Sequence, residues 1–263
     1  MNAENKRMLQ IIKELREEYG MIAIKAEFEA EGSRLDELIM LNQVVFCGNT
    51  KLNIKIGGCE AMRDIEQCKL LDASGIMAPM IETPFAMKKF KDAANKAYAD
   101  HIENIEWIIN AETVTCAQNF SDILNVAKGF LNTVVVGRSD LSASMGVSRD
   151  KIDGEAVFQQ VLQLCEMAKK EGLVSSIGGG ISIDTVPFLM KLGDSIDLFE
   201  TRKVVLPRPD SEAKATRMIS LALEFELSYL RNKHQFYHHM ATEDLARMKA
   251  LEERLKENGL KLR

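Results

Sequence analysis

Cysteine is scarce in this chain of 263 residues: five, at positions 47, 59, 68, 116 and 165, with no CxxC pair and no zinc-ligand spacing. An odd, scattered set argues against a disulfide framework or a structural zinc centre, and buried free thiols in a reducing cytoplasm are expected. No run approaches the roughly 18 apolar residues of a membrane span. The opening MNAENKRMLQIIKELREEYG reads as an amphipathic helix, not a signal peptide. An excess of basic residues is also missing. Lysine and arginine total 34 against 39 acidic residues, a formal net charge of −5, so no electrostatic footprint for nucleic acid or an anionic membrane is present. Internal repeats, low-complexity tracts and linkers are absent, and one domain over residues 1–263 is expected. Histidine is limited to four residues, three of them in HQFYHHM at 234–240. His234 and His238 have i, i+4 spacing but no third ligand in an obvious position, so a packing role is expected there.

What is present has the composition of an ordinary globular protein, 46% hydrophobic and 28% charged. Seven short apolar runs recur: MIAIKAEF (21–28), LNIKIGG (52–58), GIMAPMIET (75–83), EWIINAET (106–113), TVVVGRSD (133–140), LVSSIGG (173–179) and SIDLFETR (195–202). Between them lie stretches with apolar residues at i, i+3, i+4 and i+7. Strand–helix alternation predicts a parallel sheet. At this length it predicts an α/β fold, a TIM-type (β/α)8 barrel with an extra N-terminal helix and a C-terminal helical extension. A doubly wound open sheet is the alternative. For the eighth strand, QVVFCG (43–48) is one candidate, and a helix covering it is the other reading. The charged, helical extension over 222–263 is expected to make oligomer contacts, because a complete barrel leaves its apolar positions no core to fill.

In a parallel barrel the chemistry sits where the strands end. The predicted strands deliver Lys25 and Glu27, Lys55, Glu82, Glu112, Arg138 and Asp140, and Glu200 and Arg202 to that rim. Glu112 and Asp140 end adjacent strands, and two carboxylates at a sheet end suit Mg²⁺ or Mn²⁺, which take oxygen ligands and keep positions for water and substrate. Such an ion polarises an enolate oxygen, and a nearby Lys or Arg shares the charge.

The stretches IINAETVTCAQNFSDIL and VVVGRSDLSASMG resemble the metal-binding core of the class II 2-oxo-acid (pyruvate-dependent) aldolase and citrate lyase β-subunit family. APMIETPFAMKKF and KIGGCEAMRDI are similar to its preceding strands, and the resemblance spans roughly residues 50 to 205. It implies Glu112 and Asp140 as metal ligands, with Gly137 and Ser139 approaching the substrate carboxylate. It also implies Lys55 as the enolate partner, in place of the family's usual Arg. The family's aldolases carry a His base after an early strand; KAEFEAEG stands there instead, and Glu27 beside Lys25 is the substitute by spacing, with a barrel-closing ion pair as the other reading. Arg138 replaces a small residue or Pro, which suggests an anionic group on the substrate, or a protein acid such as Glu82 or Glu200 as its partner.

The expected function is a cytoplasmic, metal-dependent carbon–carbon lyase or aldolase acting through the enolate of pyruvate or a related 2-oxo acid. The second substrate is expected to be polar or anionic, the metal Mg²⁺ or Mn²⁺, and the enzyme a homo-oligomer. The catalytic set is Lys55, Arg138, Glu27 and Lys25, and the substrate-binding set Gly137, Ser139, Glu82 and Arg202. Phosphoenolpyruvate-dependent transfer on the same scaffold, with Arg138 and Arg202 on the phosphate, and a non-catalytic barrel subunit are the alternatives.

Overall fold

A computed structural model describes residues 1–257. Eight strands close a barrel in chain order. Strands β1 (Ala23–Glu27), β2 (Lys51–Lys55), β3 (Gly75–Ala78), β4 (Glu106–Ala111), β5 (Thr133–Gly137), β6 (Val174–Gly178) and β7 (Leu198–Glu200) pair in parallel. The eighth, β8 (Val204–Pro207), is antiparallel to both β7 and β1. The TIM-type α/β barrel expected from the sequence is therefore present, with a reversed last strand. QVVFCG is not that strand: α2 (Leu35–Cys47) covers it, through to Cys47. The true eighth strand follows a two-residue turn, closed by Thr201 N–H to the Val204 carbonyl at 2.9 Å and Val204 N–H to Thr201 Oγ1 at 3.2 Å.

The helices obey local rules. In α1 (Ala3–Tyr19) Asn2 caps the N-terminus by accepting from Asn5 N–H, and Met8, Ile11, Ile12 and Leu15 form the buried stripe. Thr83 caps α4 (Pro84–Tyr98), which has Pro in its first turn, and Thr113 caps α5 (Val114–Ala127). Each cap directly follows a carboxylate between strand and helix, Glu82 or Glu112. Next come α3 (Met62–Leu70), which lies between β2 and β3, and α6 (Arg138–Ser144), which starts immediately after β5. Then follow α7 (Glu155–Lys170), α8 (Val186–Leu192) and α9 (Glu212–Glu257). The C-terminal helical extension is thus part of one helix of 46 residues; residues 258–263 of the predicted extension lie outside the described residues.

Strand alternation sorts the side chains. Ile24, Ala26, Ile54, Ile109, Val134, Val136, Ile177 and Phe199 join the main core with the helices, whereas Met77, Ile108 and Val135 form a small separate apolar layer. Residues of the same parity as that layer are polar toward the strand ends: Lys25, Glu27, Lys55, Asn110, Glu112 and Glu200. This period of two brings them into one cleft.

Free cysteines are as expected in that all five are unpaired, but Cys47 is exposed and Cys59 half-buried; the other three are buried. No described helix is long and apolar enough to cross a membrane.

Candidate active site

A cleft of about 410 Å³ opens at the ends of the parallel strands, within the usual size of small-molecule sites. It is lined by Lys25, Glu27, Lys55, Glu112, Gly137, Ser139, Asp140 and Arg202 among the residues singled out from sequence. Sequence reasoning did not assign roles to Asn110, Arg149 or Glu226, which also line it. Asn110 carried a usable signal, since it lies two residues before Glu112 on the same strand and so shares its side. Arg149 and Glu226 come from a loop and a helix for which alternation says nothing.

Glu112 anchors the inner wall. Its carboxylate accepts from Asn110 Nδ2 at 2.7 Å and from the Met80 backbone N–H at 3.1 Å, with Lys55 Nζ 3.6 Å away. Burial raises the pKa of this acid above its ordinary range; Lys55 and the two hydrogen bonds oppose the shift, and the charge of Asp140 adds to it. Gly137 is what admits the side chain: a Cβ there would stand 2.6 Å from Glu112 Oε2. The glycine at the end of β5 therefore exists for the carboxylate at the end of β4.

Lys55 has a closer partner than Glu112. Its ammonium lies 2.9 Å from Glu29, on the loop after β1. Lys25 is buried and held by Glu200 at 2.5 Å and Glu27 at 3.5 Å. Burial alone would lower its pKa, but these two acids carry it upward, so Lys25 stays charged at neutral pH. Arg202, on the β7–β8 turn, has Glu27 at 3.7 Å and Glu226 at 4.0 Å.

Two sequence-based assignments are corrected. Arg138 does not face the cleft. The strand ends at Gly137 and a helix begins at Arg138, so residues 138 and 140 are set about 200° apart around a helix axis instead of on one side of a strand. The Arg138 side chain is fully buried, pairs with Asp153, donates to the Gly179 carbonyl at 2.8 Å and lies 4.8 Å from the Phe188 ring centroid. Its partner is neither Glu82 nor Glu200. Glu82 also lies outside the cleft: it accepts from Thr113 Oγ1 at 2.7 Å, and its carbonyl accepts from Asn119 Nδ2 at 2.9 Å. The N-terminus of α5 claims this carboxylate. His101 is exposed, and the rings of His234 and His238 stack at 5.9 Å on α9.

Among the described residues no group of three or more His, Cys, Asp or Glu is placed to hold a metal ion. What the cleft offers is the smaller set of Glu112, just past β4, and Asp140, in the first turn of α6 after the neighbouring β5, the two electrostatically coupled. Mg²⁺ is commonly held by one or two carboxylates, with water and substrate completing the shell. The charges agree: six acidic and four basic side chains line the cleft, a formal excess of two negative charges. The buried Asn110 Oδ1, also in the lining, has no hydrogen-bond partner among the described residues. The residues fit a hard divalent cation.

The sequence profile of the HpcH/HpaI aldolase/citrate lyase family matches residues 41–181. Solved structures share the fold. One is an HpcH/HpaI aldolase from Desulfitobacterium hafniense DCB-2, with 15% identity, TM-score 0.60, and 76% of this chain and 83% of that one covered. Another is an HpcH/HpaI aldolase/citrate lyase family protein from Burkholderia cenocepacia J2315, with 14% identity, TM-score 0.62, and 90% of each chain covered. A third is the citrate synthase SbnG, with 18% identity, TM-score 0.59, and 86% and 90% covered. A search of curated proteins gives no match. The profile covers more than half of the chain, and the chain belongs to the HpcH/HpaI aldolase/citrate lyase family.

Proposed function

We propose that the protein is a cytoplasmic, Mg²⁺- or Mn²⁺-dependent aldolase or lyase that makes or breaks a carbon–carbon bond next to the enolate of pyruvate or a related 2-oxo acid. The observation that carries this reading is the convergence of Glu112, Asp140 and Lys55 on one cleft at the strand ends. Glu112 and Asp140 would hold the cation, which when bound supplies Lewis-acid stabilisation of an enolate oxygen.

The chain's own residues do the rest. Lys55 Nζ neutralises negative charge developing on the substrate oxygen, while Glu29 at 2.9 Å holds the ammonium from the other side with one of its three N–H donors. Glu27 is the proton carrier at the substrate methyl carbon, as the cleft carboxylate that ends the first strand. Lys25, already held by Glu200 and Glu27, is a charge-balancing group and not the base. Gly137 and Ser139 line the wall beside Asp140 and leave room for the substrate carboxylate. With Arg138 turned into the core, the phosphoenolpyruvate alternative loses one of its two phosphate holders.

The test is exchange of solvent deuterium into pyruvate. With Mn²⁺ or Mg²⁺ the wild-type protein should exchange the methyl protons, and a chelator should stop it. Glu112→Gln and Asp140→Asn should abolish exchange and weaken Mn²⁺ binding by calorimetry while the fold persists. Full metal affinity in both variants, or exchange that ignores the chelator, would sink the assignment.

A further inference from the structure

We infer that Arg149 and Arg202 form a subsite for an anionic group, carboxylate or phosphate, at the far end of the second substrate. This rests on the enolate reading above and supplies what that reading leaves open, the class of the acceptor. The two inner ammonium groups of the cleft are already neutralised, Lys25 by Glu200 at 2.5 Å and Lys55 by Glu29 at 2.9 Å. The two guanidinium groups differ. The acid oxygens nearest Arg202 stand 3.7 and 4.0 Å away, beyond hydrogen-bond length. Arg149 is exposed, lines the cleft, and pairs with no acid among the described residues.

Their placement suits one extended ligand. Arg149 follows α6, whose first turn carries Asp140, and Arg202 stands on the β7–β8 turn. The end of β6 contributes Gly178, Gly179 and Gly180 to the wall of the same cleft, a stretch without side chains. Gly179 is bound to be glycine, with φ +80° and a Cβ position 2.6 Å from Ser139 N. A ligand whose reacting end lies at Glu112 and Asp140 therefore finds a smooth wall, the open fork of Arg149 and the guanidinium of Arg202, which Glu27 and Glu226 flank without hydrogen-bonding. Such forks match carboxylate and phosphate oxygens in pairs. The sequence pointed to an arginine for this task and named Arg138; the fold buries Arg138 and presents Arg149.

The experiment compares acceptors. Wild type and Arg149→Ala, with Mn²⁺ and pyruvate, are assayed with glycolaldehyde, glycolaldehyde phosphate and glyoxylate. The ratio of kcat/KM for an anionic acceptor to that for glycolaldehyde should fall roughly 10- to 100-fold in the variant, the size of a lost charged hydrogen bond. Arg149→Lys should recover part of it. The acceptor whose ratio falls distinguishes phosphate from carboxylate. Independently of turnover, inorganic phosphate or malonate should slow modification of Arg149 by phenylglyoxal in the wild-type protein, read by peptide mapping. Unchanged ratios with both anionic acceptors, or no protection of Arg149 by either anion, overturns the inference. If no condensation is measurable, protection alone decides it. Protected Arg149 in a protein that exchanges no deuterium into pyruvate would instead sink the enolate reading and leave the anion subsite standing.

Discussion

Arg138 and Asp153 give an asymmetric test of why an arginine stands beside a proposed metal ligand. The Arg138 guanidinium is completely buried, whereas the Asp153 side chain is 31% exposed. Removing Asp153 leaves a desolvated positive charge with only the Gly179 carbonyl and the Phe188 face for company. Breaking a buried pair in this way costs about 3–5 kcal/mol. Arg138→Met removes the buried charge itself, fills much of the space with apolar atoms, and leaves an aspartate that water reaches. The expected cost is about 1–3 kcal/mol, chiefly the charged hydrogen bond to Gly179. At roughly 2–4 °C per kcal/mol for a chain of this size, Asp153→Ala should lower Tm by about 6–20 °C and Arg138→Met by clearly less. The double variant should be more stable than Asp153→Ala alone, because the stranded charge is gone. Urea unfolding of the three variants without substrate measures this. Arg138→Met as harmful as Asp153→Ala, or a double variant with additive losses, would refute the buried-pair reasoning.

Other outcomes are expected from the same structure. Lys55→Ala should lower turnover by about 10²–10³-fold, as for loss of one oxyanion donor, with much less effect on substrate binding; steady-state kinetics beside equilibrium binding checks it, and an unchanged rate returns Lys55 to a purely structural role. Burial tends to raise the Glu37 pKa, but hydrogen bonds from Tyr237, Lys233 and the Arg34 backbone bring it below the usual range. Its stabilising contact with α9 should therefore be complete above the unfolded value of about 4.3 and be lost as pH falls through the lower folded value. Hydrogen exchange over residues 230–240 should rise on that acidification, and Glu37→Gln should show raised exchange at neutral pH with little further acid response. Deleting the chain from Asn232 should shift sedimentation toward smaller species, since Phe236, Met240, Leu245, Met248 and Leu251 are exposed on the deleted part of α9; unchanged mass would remove this segment from the assembly.

The barrel was legible because parallel strands buried on both faces write themselves as apolar runs, as TVVVG of β5 does with all five residues buried. β8 was not legible for the same reason in reverse: four residues after a tight turn look like the tail of β7. The strand residues that line the cleft followed from period two, which puts Lys25, Glu27, Lys55 and Glu112 on one side. That rule failed one residue past Gly137, where the backbone turns helical and Arg138 rotates into the core. Glu82 went astray because β3 ends at Ala78, and the carboxylate four residues on reaches the capping Thr113 of α5 instead of the cleft. Glu29 as the closest partner of Lys55 depends on a loop conformation, which no periodicity encodes.

The reversed last strand also accounts for how α9 reaches the cleft. Strands β1 to β7 all point their ends at the site, so a parallel β8 would arrive there and the following helix would descend away from it. Here the β7–β8 turn lies at the cleft, where it supplies Arg202, and β8 carries the chain back to the opposite end. Helix α9 starts there and must climb. Its contacts with α1 record the direction: Arg217 meets Glu14, Glu224 meets Arg7 and Asn232 meets Asn2, an antiparallel pair rising toward the N-terminus of α1. On the way it contributes Leu223 and Glu226 to the cleft. At 1.5 Å per residue the helix is about 69 Å long, far more than the climb needs. Among the described residues the last buried side chain of α9 is Tyr229, whose ring lies 4.2 Å from Lys203 Nζ. Past that point α9 runs on beyond the cleft end of the barrel, with Asn232 at Asn2, Lys233 and Tyr237 on Glu37 of α2, and Arg34 at Tyr237. A hairpin of two turn residues thus decides both which arginine borders the site and on which side of the barrel the long helix emerges.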